Sequence, residues 1–417
     1  MVHDPLDIGV IMDRAIHDAV NGRMGPVWID VPLDVQSATV HPDQLARWKS
    51  NEITTAQFDY ALIDDVVSSL RNAKRPIVLI GSGTKSPEAK KLLNQLMNEF
   101  CLPVVYSASA VDVADAESPF AIGSVGMMGC SRVGNFALQN SDYVLVLGNR
   151  LTSMTTGVET KQFAPGATID VVDIDPVEHT KHDLSIRNVI EQECSEFMRM
   201  LMPRLVETVK DSWIQILAEW KHELPLLEPE FDTESKVDLY QLAGLLTQHL
   251  PSKATLITDS GLNELILPSN VRFRDAQRCI HPASQGAMGF SLPAAVGAHF
   301  SGATDITVVV GDGSIMMNVQ ELETIRNNRI PLRVIVVSNN VYAVIRKRQQ
   351  ELFRNRTIGT DPQNGVSVPD FRDLAKCFGF DYRLVENLDQ MTKELSSTVR
   401  ISGPVIIEVL GKPEQDY

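Results

Sequence analysis

Hydrophobic and polar positions repeat along this chain in one order, a helical stripe followed by a short, unbroken apolar run. Leu62 to Leu70 keeps the helical interval, and Pro76-Ile77-Val78-Leu79-Ile80-Gly81 follows as a continuous apolar segment. Pro87 to Phe100 is helical again, and Pro103-Val104-Val105-Tyr106 is apolar throughout. Tyr143 to Gly148 and Thr168 to Asp173 continue the series. Runs this short, bounded by Gly or Pro and rich in Val and Ile, predict strands buried on both faces. Strands alternating with helices predict a doubly wound α/β domain with a parallel sheet over residues 61–205. A second such domain is expected over 237–417, where Ile306 to Val310, Leu332 to Val337 and Pro404 to Val409 are the apolar runs.

The opening residues have a different pattern. Asp4 is placed to cap a helix, Pro5 fits its first turn, and Ile8, Ile11, Ala15, Ile16 and Ala19 form an apolar stripe that Gly22 ends. Pro26 to Pro32 then predicts one hydrophobic strand. A lone helix and strand cannot enclose a core, so residues 1–36 are expected to be the tail end of a third domain, docked elsewhere. The polar stretch 37–60 has the composition of a linker. Residues 206–236, acidic around Trp213 and Trp220, predict a helical connection.

Chemistry concentrates in the last region. Gly311-Asp312-Gly313 ends one apolar run, and Asn339-Asn340 follows the next. Positions 314 to 338, twenty-five residues, separate Gly313 from Asn339, which is room for a crossover helix. Asn318 is positioned to cap that helix, and Val319, Leu322, Ile325 and Arg326 follow at helical intervals. Such a strand-helix-strand unit can set a carboxylate and a carboxamide side by side at the carboxyl edge of a parallel sheet, where ligands bind. Hard oxygen donors beside a glycine turn suit Mg²⁺ holding a diphosphate. Taken singly, Asp-Gly is also a common tight turn and Asn-Asn common loop punctuation. Their joining across one unit is what favours chemistry.

Gly-Asp-Gly, a helix and Asn-Asn in this order resemble the signature of the thiamin diphosphate enzymes. The resemblance implies that Asp312, the Asn339 side chain and the Val341 backbone carbonyl ligate Mg²⁺. It also places Gly311, Gly313 and Ser314 among the cofactor-binding residues. The preceding segment, Gly286 to Ala298, is similar to Gly-x-Met-Gly-x-x-x-Pro-Ala-Ala of acetolactate-synthase-like members. There the resemblance implies that Met288 wedges between the two cofactor rings and that the Gly286 carbonyl accepts from the aminopyrimidine amine. Read alone, the same small residues pack a buried helix closely, and a Met fills a core.

Gly22 to Gln36 resembles the closing segment of the pyrimidine-binding domain of these enzymes, so the likeness covers essentially the whole chain while most of that domain is absent from it. The resemblance implies a thiamin diphosphate- and Mg²⁺-dependent carboligase or decarboxylase acting on a 2-keto acid such as pyruvate. It further implies that the activating glutamate belongs to the pyrimidine domain. No residue of this chain is assigned that role, so the half-site is expected from a homo-oligomer or another chain. The alternative is a truncated, non-catalytic cofactor-binding or scaffold protein of the same family.

Two departures bear on ligands. Gly81-Ser82-Gly83 and Asp173-Ile174-Asp175-Pro176 end strands of the 61–205 region, where the family seats FAD or an ADP group. A lone Gly-x-Gly is more often ordinary loop chemistry. Met154 replaces an arginine that contacts flavin in acetolactate synthase, which weighs against FAD. Arg348 stands where acetolactate synthase has a Trp; it suits an anionic acceptor, or simply a solvated basic helix face.

Bulk properties narrow the partners. Across 417 residues the chain is 44% hydrophobic and 22% charged, ordinary for a multidomain soluble protein. A net charge of −15 excludes nucleic acid and anionic membrane as natural partners. No apolar stretch reaches the length of a membrane span, and Met1-Val2-His3-Asp4-Pro5 lacks the pattern of a signal peptide. Five scattered cysteines without a Cys-x-x-Cys pair suit a reducing compartment, and the expected location is cytoplasmic.

Overall fold

The structure, a computed structural model, describes residues 1–49, 60–180, 183–206, 211–226, 236–283, 285–397 and 403–415. Six strands form a first sheet: β1 (Pro76–Ile80), β2 (Val104–Ser107), β3 (Ala121–Val125), β4 (Tyr143–Leu147), β5 (Thr168–Asp173) and β6 (Ile186–Glu191). They lie in the order β3-β2-β1-β4-β5-β6, every pair parallel. A second sheet holds β7 (Ala254–Thr258), β8 (Arg278–Ile280), β9 (Asp305–Gly311), β10 (Leu332–Ser338), β11 (Asp381–Val385) and β12 (Val405–Leu410). Its order is β11-β12-β10-β9-β7-β8, again all parallel. The expected pair of doubly wound sheets is present.

Side chains on a strand alternate between faces, and β1 and β4 show what that requires. Val78, Ile80, Leu145 and Leu147 pack with Leu93, Leu96 and Phe197 on one side. Ile77, Leu79, Val144 and Val146 pack with Val133, Trp213 and Leu217 on the other. Both faces are covered by helices, so every residue of these strands is buried, and the one polar side-chain group, the Tyr143 hydroxyl, donates to Asp170 at 2.8 Å. Within the expected helical connection over 206–236 the structure has the helix Asp211–Glu223, which packs on the first domain: the Trp213 indole donates to the Pro76 carbonyl at 3.2 Å and its ring is buried there. Residues 207–210 and 227–235 of that stretch, and 50–59 of the expected linker, lie outside the described residues.

One buried cluster runs without a break from the first sheet into Leu242, Leu256, Ile266 and Ile335 of the second domain. Polar bonds cross the same interface. Ser124 Oγ donates to the Ser269 carbonyl at 2.8 Å, Asn270 Nδ2 to the Gly129 carbonyl at 2.6 Å, and the Cys279 amide to Asp112 Oδ2 at 3.0 Å.

The opening segment forms the expected helix, Ile8–Val20, but its apolar stripe is only partly covered: Ile8, Ile11, Ala15 and Ala19 are half-buried and Ile16 is exposed. Its covered face includes Gly9, Asp13 and His17, where Arg47 bonds Asp13 at 2.8 Å and Trp48 packs edge-on against His17. The strand expected over Pro26 to Pro32 does not form. That run has no regular structure and no neighbouring strand, is tied by the Val2 amide to the Asp30 carbonyl at 2.8 Å, and leaves Trp28 88% exposed. A strand exists only where another shares its hydrogen bonds, and no described segment supplies one. None of the five cysteines, all within the described residues, forms a disulfide. Among the described residues no helix is long and apolar enough to cross a membrane.

Candidate functional site

The second sheet reverses its winding between β7 and β9: the chain proceeds from β7 outward to β8, then from β9 in the opposite direction. Loops leaving neighbouring strands diverge at such a point and open a crevice at the carboxyl ends. A cavity of about 400 Å³ occupies that place, lined by residues 260–265 after β7, 311–314 after β9 and 341–345 after β10, with Asn339. Gly286, Met288, Gly311, Asp312, Gly313, Ser314, Asn339 and Val341 all line it.

Asp312 joins the two loops at its floor. Oδ2 accepts the amides of Asn339 at 2.9 Å and Asn340 at 2.6 Å, and Oδ1 accepts the Gly313 amide at 2.8 Å. Burial pushes its carboxyl up, and these three amides pull it back. Asn339 Oδ1 accepts the Val341 amide at 3.1 Å and keeps its second lone pair. Asn340 does not line this cavity. Its backbone is left-handed, with φ at 57°, a conformation Asn tolerates, so the turn itself accounts for the second Asn. Gly313 is required by a neighbour, since an added Cβ would stand 2.1 Å from the Tyr342 ring.

The loop after β8 is anchored by a residue the sequence reading missed. Asp259, wholly buried, accepts the amides of Ser260 and Gly289 on Oδ1, both at 2.9 Å, and of Ser291 on Oδ2 at 2.8 Å. Gly289 turns with φ at 80°, and an added Cβ would come within 2.7 Å of Met317. Asn318 holds the same loop, and this corrects its expected role as a helix cap. Its Nδ2 donates to the Gly289 carbonyl at 2.8 Å, while the crossover helix starts later, at Glu321–Asn327, without a side-chain cap. Met288 projects at the cavity, 39% exposed. The Gly286 carbonyl already accepts from Ser260 Oγ at 2.6 Å, leaving one lone pair for a ligand.

Two further side chains face the cavity. Asn263 is buried, yet its Oδ1 has no hydrogen-bond partner, an acceptor that a bound group could satisfy. Glu264 is pushed up to about 7 by burial and by the neighbouring Asp259 charge. Sequence alone gave no signal for either, because their importance comes from which way the helix Leu262–Asn270 points. Among the described residues no cluster of three or more His, Cys, Asp or Glu side chains could by itself hold a metal ion. Any cation here would depend on the mixed donor set of Asp312, Asn339 and a carbonyl, completed by ligand oxygens.

The first domain's glycine turn has a packing explanation. A Cβ on Gly81 would stand 2.4 Å from the Gly148 carbonyl, and one on Gly83 would stand 2.7 Å from the Gly148 Cα. Arg348 pairs with Glu351 at 3.2 Å on an exposed helix face, and its Nη2 reaches the Met128 sulfur at 3.7 Å at the cavity rim.

Residues 259–409 match the family described as thiamine pyrophosphate enzyme, C-terminal TPP binding domain, and 63–199 match thiamine pyrophosphate enzyme, central domain. Thiamine pyrophosphate and thiamin diphosphate are one compound. The chain belongs to the thiamine pyrophosphate enzymes. Within them it is similar to the acetolactate synthase isozyme 2 large subunit of Escherichia coli (strain K12), 29% identical over 407 residues, covering 96% of this chain and 70% of that protein. It is likewise similar to the acetolactate synthase large subunit of Pyropia yezoensis, 28% identical over 420 residues, covering 98% of this chain and 69% of that one. It is a thiamin diphosphate-dependent enzyme of the acetolactate synthase type.

Proposed function

We propose that the cavity after β7, β9 and β10 holds thiamin diphosphate with Mg²⁺, and that the enzyme is a carboligase or decarboxylase of a 2-keto acid such as pyruvate. What supports this reading most is convergence: eight residues singled out by motif, spread from Gly286 to Val341, line a single crevice. In this reading Asp312, Asn339 and the Val341 carbonyl hold the metal. Three amides already occupy lone pairs of Asp312, which leaves Oδ1 one site toward a cation. Gly311, Gly313 and Ser314 admit the diphosphate close to the backbone. Asn263 Oδ1 offers its unused acceptor, and Met288 sets the shape of the cavity wall.

The bound cofactor supplies an electron sink for loss of CO₂ from the keto acid. The chain's own part is to orient and to exclude water. Among the described residues the cavity lining carries no ionisable side chain but Asp312, Glu264 and Tyr342, and Leu262, Leu265, Val344 and Ile345 keep it largely apolar. Charged contacts gain strength in such a setting. The half-site of a homo-oligomer, or of a chain carrying a pyrimidine-binding domain, completes the reading, with a cytoplasmic location suited to five cysteines of which none is in a disulfide. Flavin is left out, because the Gly81 and Gly83 turn is explained by its packing on Gly148 and Met154 replaces the family's arginine.

Calorimetric titration of thiamin diphosphate with and without Mg²⁺ tests the site, and pyruvate consumption with and without an added pyrimidine domain tests the reaction. Metal-dependent heat and turnover on complementation are expected. No heat with either component rejects the site, and binding without turnover under both assay conditions rejects the reaction.

A further inference from the structure

A second cavity, of about 340 Å³, lies where the two domains meet and shares none of its described residues with the first. The first domain contributes Tyr106, Arg132 and Lys221, and the second Tyr240, Asn270 and Arg272. Among the described residues its lining includes Lys221 and Arg272, with Arg132 at its side, and no Asp or Glu, in a chain whose net charge is −15. Lys221 leaves the helix Asp211–Glu223 and donates to the Pro119 carbonyl at 2.7 Å. Arg272 follows the helix Leu262–Asn270 and donates through Nη2 to the Ala116 carbonyl at 3.1 Å. Neither side chain meets a carboxylate among the described residues.

Two cations converging in a half-buried cleft repel each other and lose hydration, a cost that a counter-charge removes. The consequence shows at Lys221, whose ammonium is lowered to about 8 by burial and by Arg272. Backbone carbonyls use one donor on each, and an ammonium has three and a guanidinium five. Ser131 and Asn270 add polar groups, whereas Ile122, Val133 and Leu224 make an apolar wall. The volume is that of a small-molecule site, about 300 Å³ upward.

We propose that this interdomain cleft binds a small organic anion, a phosphate or carboxylate on a compact apolar body, gripped by Lys221 from one domain and Arg272 from the other. The helix Leu262–Asn270 begins at the first cavity, with Leu262, Asn263 and Glu264, and ends at this one, with Ser269 and Asn270. Leu265, the last helix residue on the first cavity, and Ser269, the first on this one, are four residues apart, so the two cavities approach to about 6 Å along the helix at 1.5 Å per residue. An occupant would also fasten the two domains together at that end.

The test is calorimetry on the full chain with phenyl phosphate and benzoate as probes, in chloride buffer at constant ionic strength. Saturable one-to-one binding of at least one probe is expected. Tighter phenyl phosphate marks the ligand as a phosphate ester, and tighter benzoate as a carboxylate. Lys221→Met and Arg272→Met should each weaken binding tenfold or more, Lys221→Arg should restore it, and Asp312→Asn in the other cavity should leave it within twofold. If one Met variant fails to fold, the other carries the comparison. No saturable heat from either probe overturns the proposal, as does wild-type affinity in a folded Met variant or equal loss in Asp312→Asn. None of these outcomes depends on whether thiamin diphosphate binds.

Discussion

Asp312 receives Asn339 through the backbone: the Asn339 amide donates to Oδ2 at 2.9 Å, while the Asn339 side chain turns to the Val341 amide. The carboxylate therefore works as a clamp between the β9 and β10 loops before any ligand arrives. Its third and fourth lone pairs lie on Oδ1, one of them taken by Gly313. Structural and binding roles are thus built into different sites of one side chain, and substitution tests both at once.

Asp312→Asn has nearly the same shape but only one acceptor oxygen, and its amide would face donor N–H groups. Leaving buried donors unmatched costs about 1–3 kcal/mol. Urea unfolding should show a loss of that order, and metal-dependent binding of thiamin diphosphate should vanish in calorimetry. Wild-type cofactor affinity in this variant would sink the metal assignment.

Asp259 holds the Met288 loop by two amides, those of Gly289 and Ser291. In Asp259→Ala the loop loses both anchors while the rest of the sheet edge stays packed. Limited proteolysis should cut within residues 286–291 faster than in the parent, and thiamin diphosphate affinity should fall about tenfold, or 1.4 kcal/mol. Unchanged cleavage and unchanged affinity together would refute the anchoring role.

The chain's interior was legible and its margins were not. β1, β2, β4, β5, β9, β10 and β12 are dominated by Val, Ile and Leu, broken only by isolated polar residues such as Asp170, Arg333 and Glu408, because nearly all their positions are covered on both faces. The edges β3, β6, β8 and β11 went unread. Of these, β6, β8 and β11 keep a solvent side and carry Arg, Asn or Asp, and β3 is interrupted by Gly123. β7, though buried and central, was also missed; Ala254-Thr255-Leu256-Ile257-Thr258 is short and half polar. At the site, spacing revealed Asp312 and Asn339 because they belong to one strand-helix-strand unit. Asp259, Asn263 and Glu264 follow another strand, and only the fold brings that loop alongside.

The interdomain contact should be acid-sensitive through His281. Its Nε2 lies 2.9 Å from the Ala108 carbonyl, and burial lowers the ring to about 4, with Lys85 also opposing its charge. Below the unfolded value near 6.5 the unfolded chain takes a proton that the folded ring refuses, so this contribution is present above about pH 6.5 and lost as pH falls toward 4. The loss should approach roughly 2–3 kcal/mol by pH 4. His281→Gln keeps a donor for Ala108 without a titrating ring. Unfolding free energy measured from pH 7 to pH 4 should fall less steeply in that variant, and parallel curves would exclude His281 as the cause.

Glu264 gives the opposite slope. Its carboxyl is raised from 4.5 to about 7, first by burial and then by Asp259, so the folded state favours the neutral acid. Its favourable contribution is complete below about pH 4.5 and disappears as pH rises through 7, where ionisation leaves a poorly hydrated charge beside Asp259. Glu264→Gln makes the neutral form permanent. Allowing for the part of the side chain that solvent still reaches, it should stabilise the protein by about 1–2 kcal/mol at pH 8. It should do nothing at pH 4. Because Glu264 faces the first cavity, the same variant should also flatten the pH dependence of thiamin diphosphate affinity between 6 and 8. A variant no more stable at pH 8, or one whose affinity profile follows the parent's, would mean the carboxyl is already ionised and solvated in the folded protein.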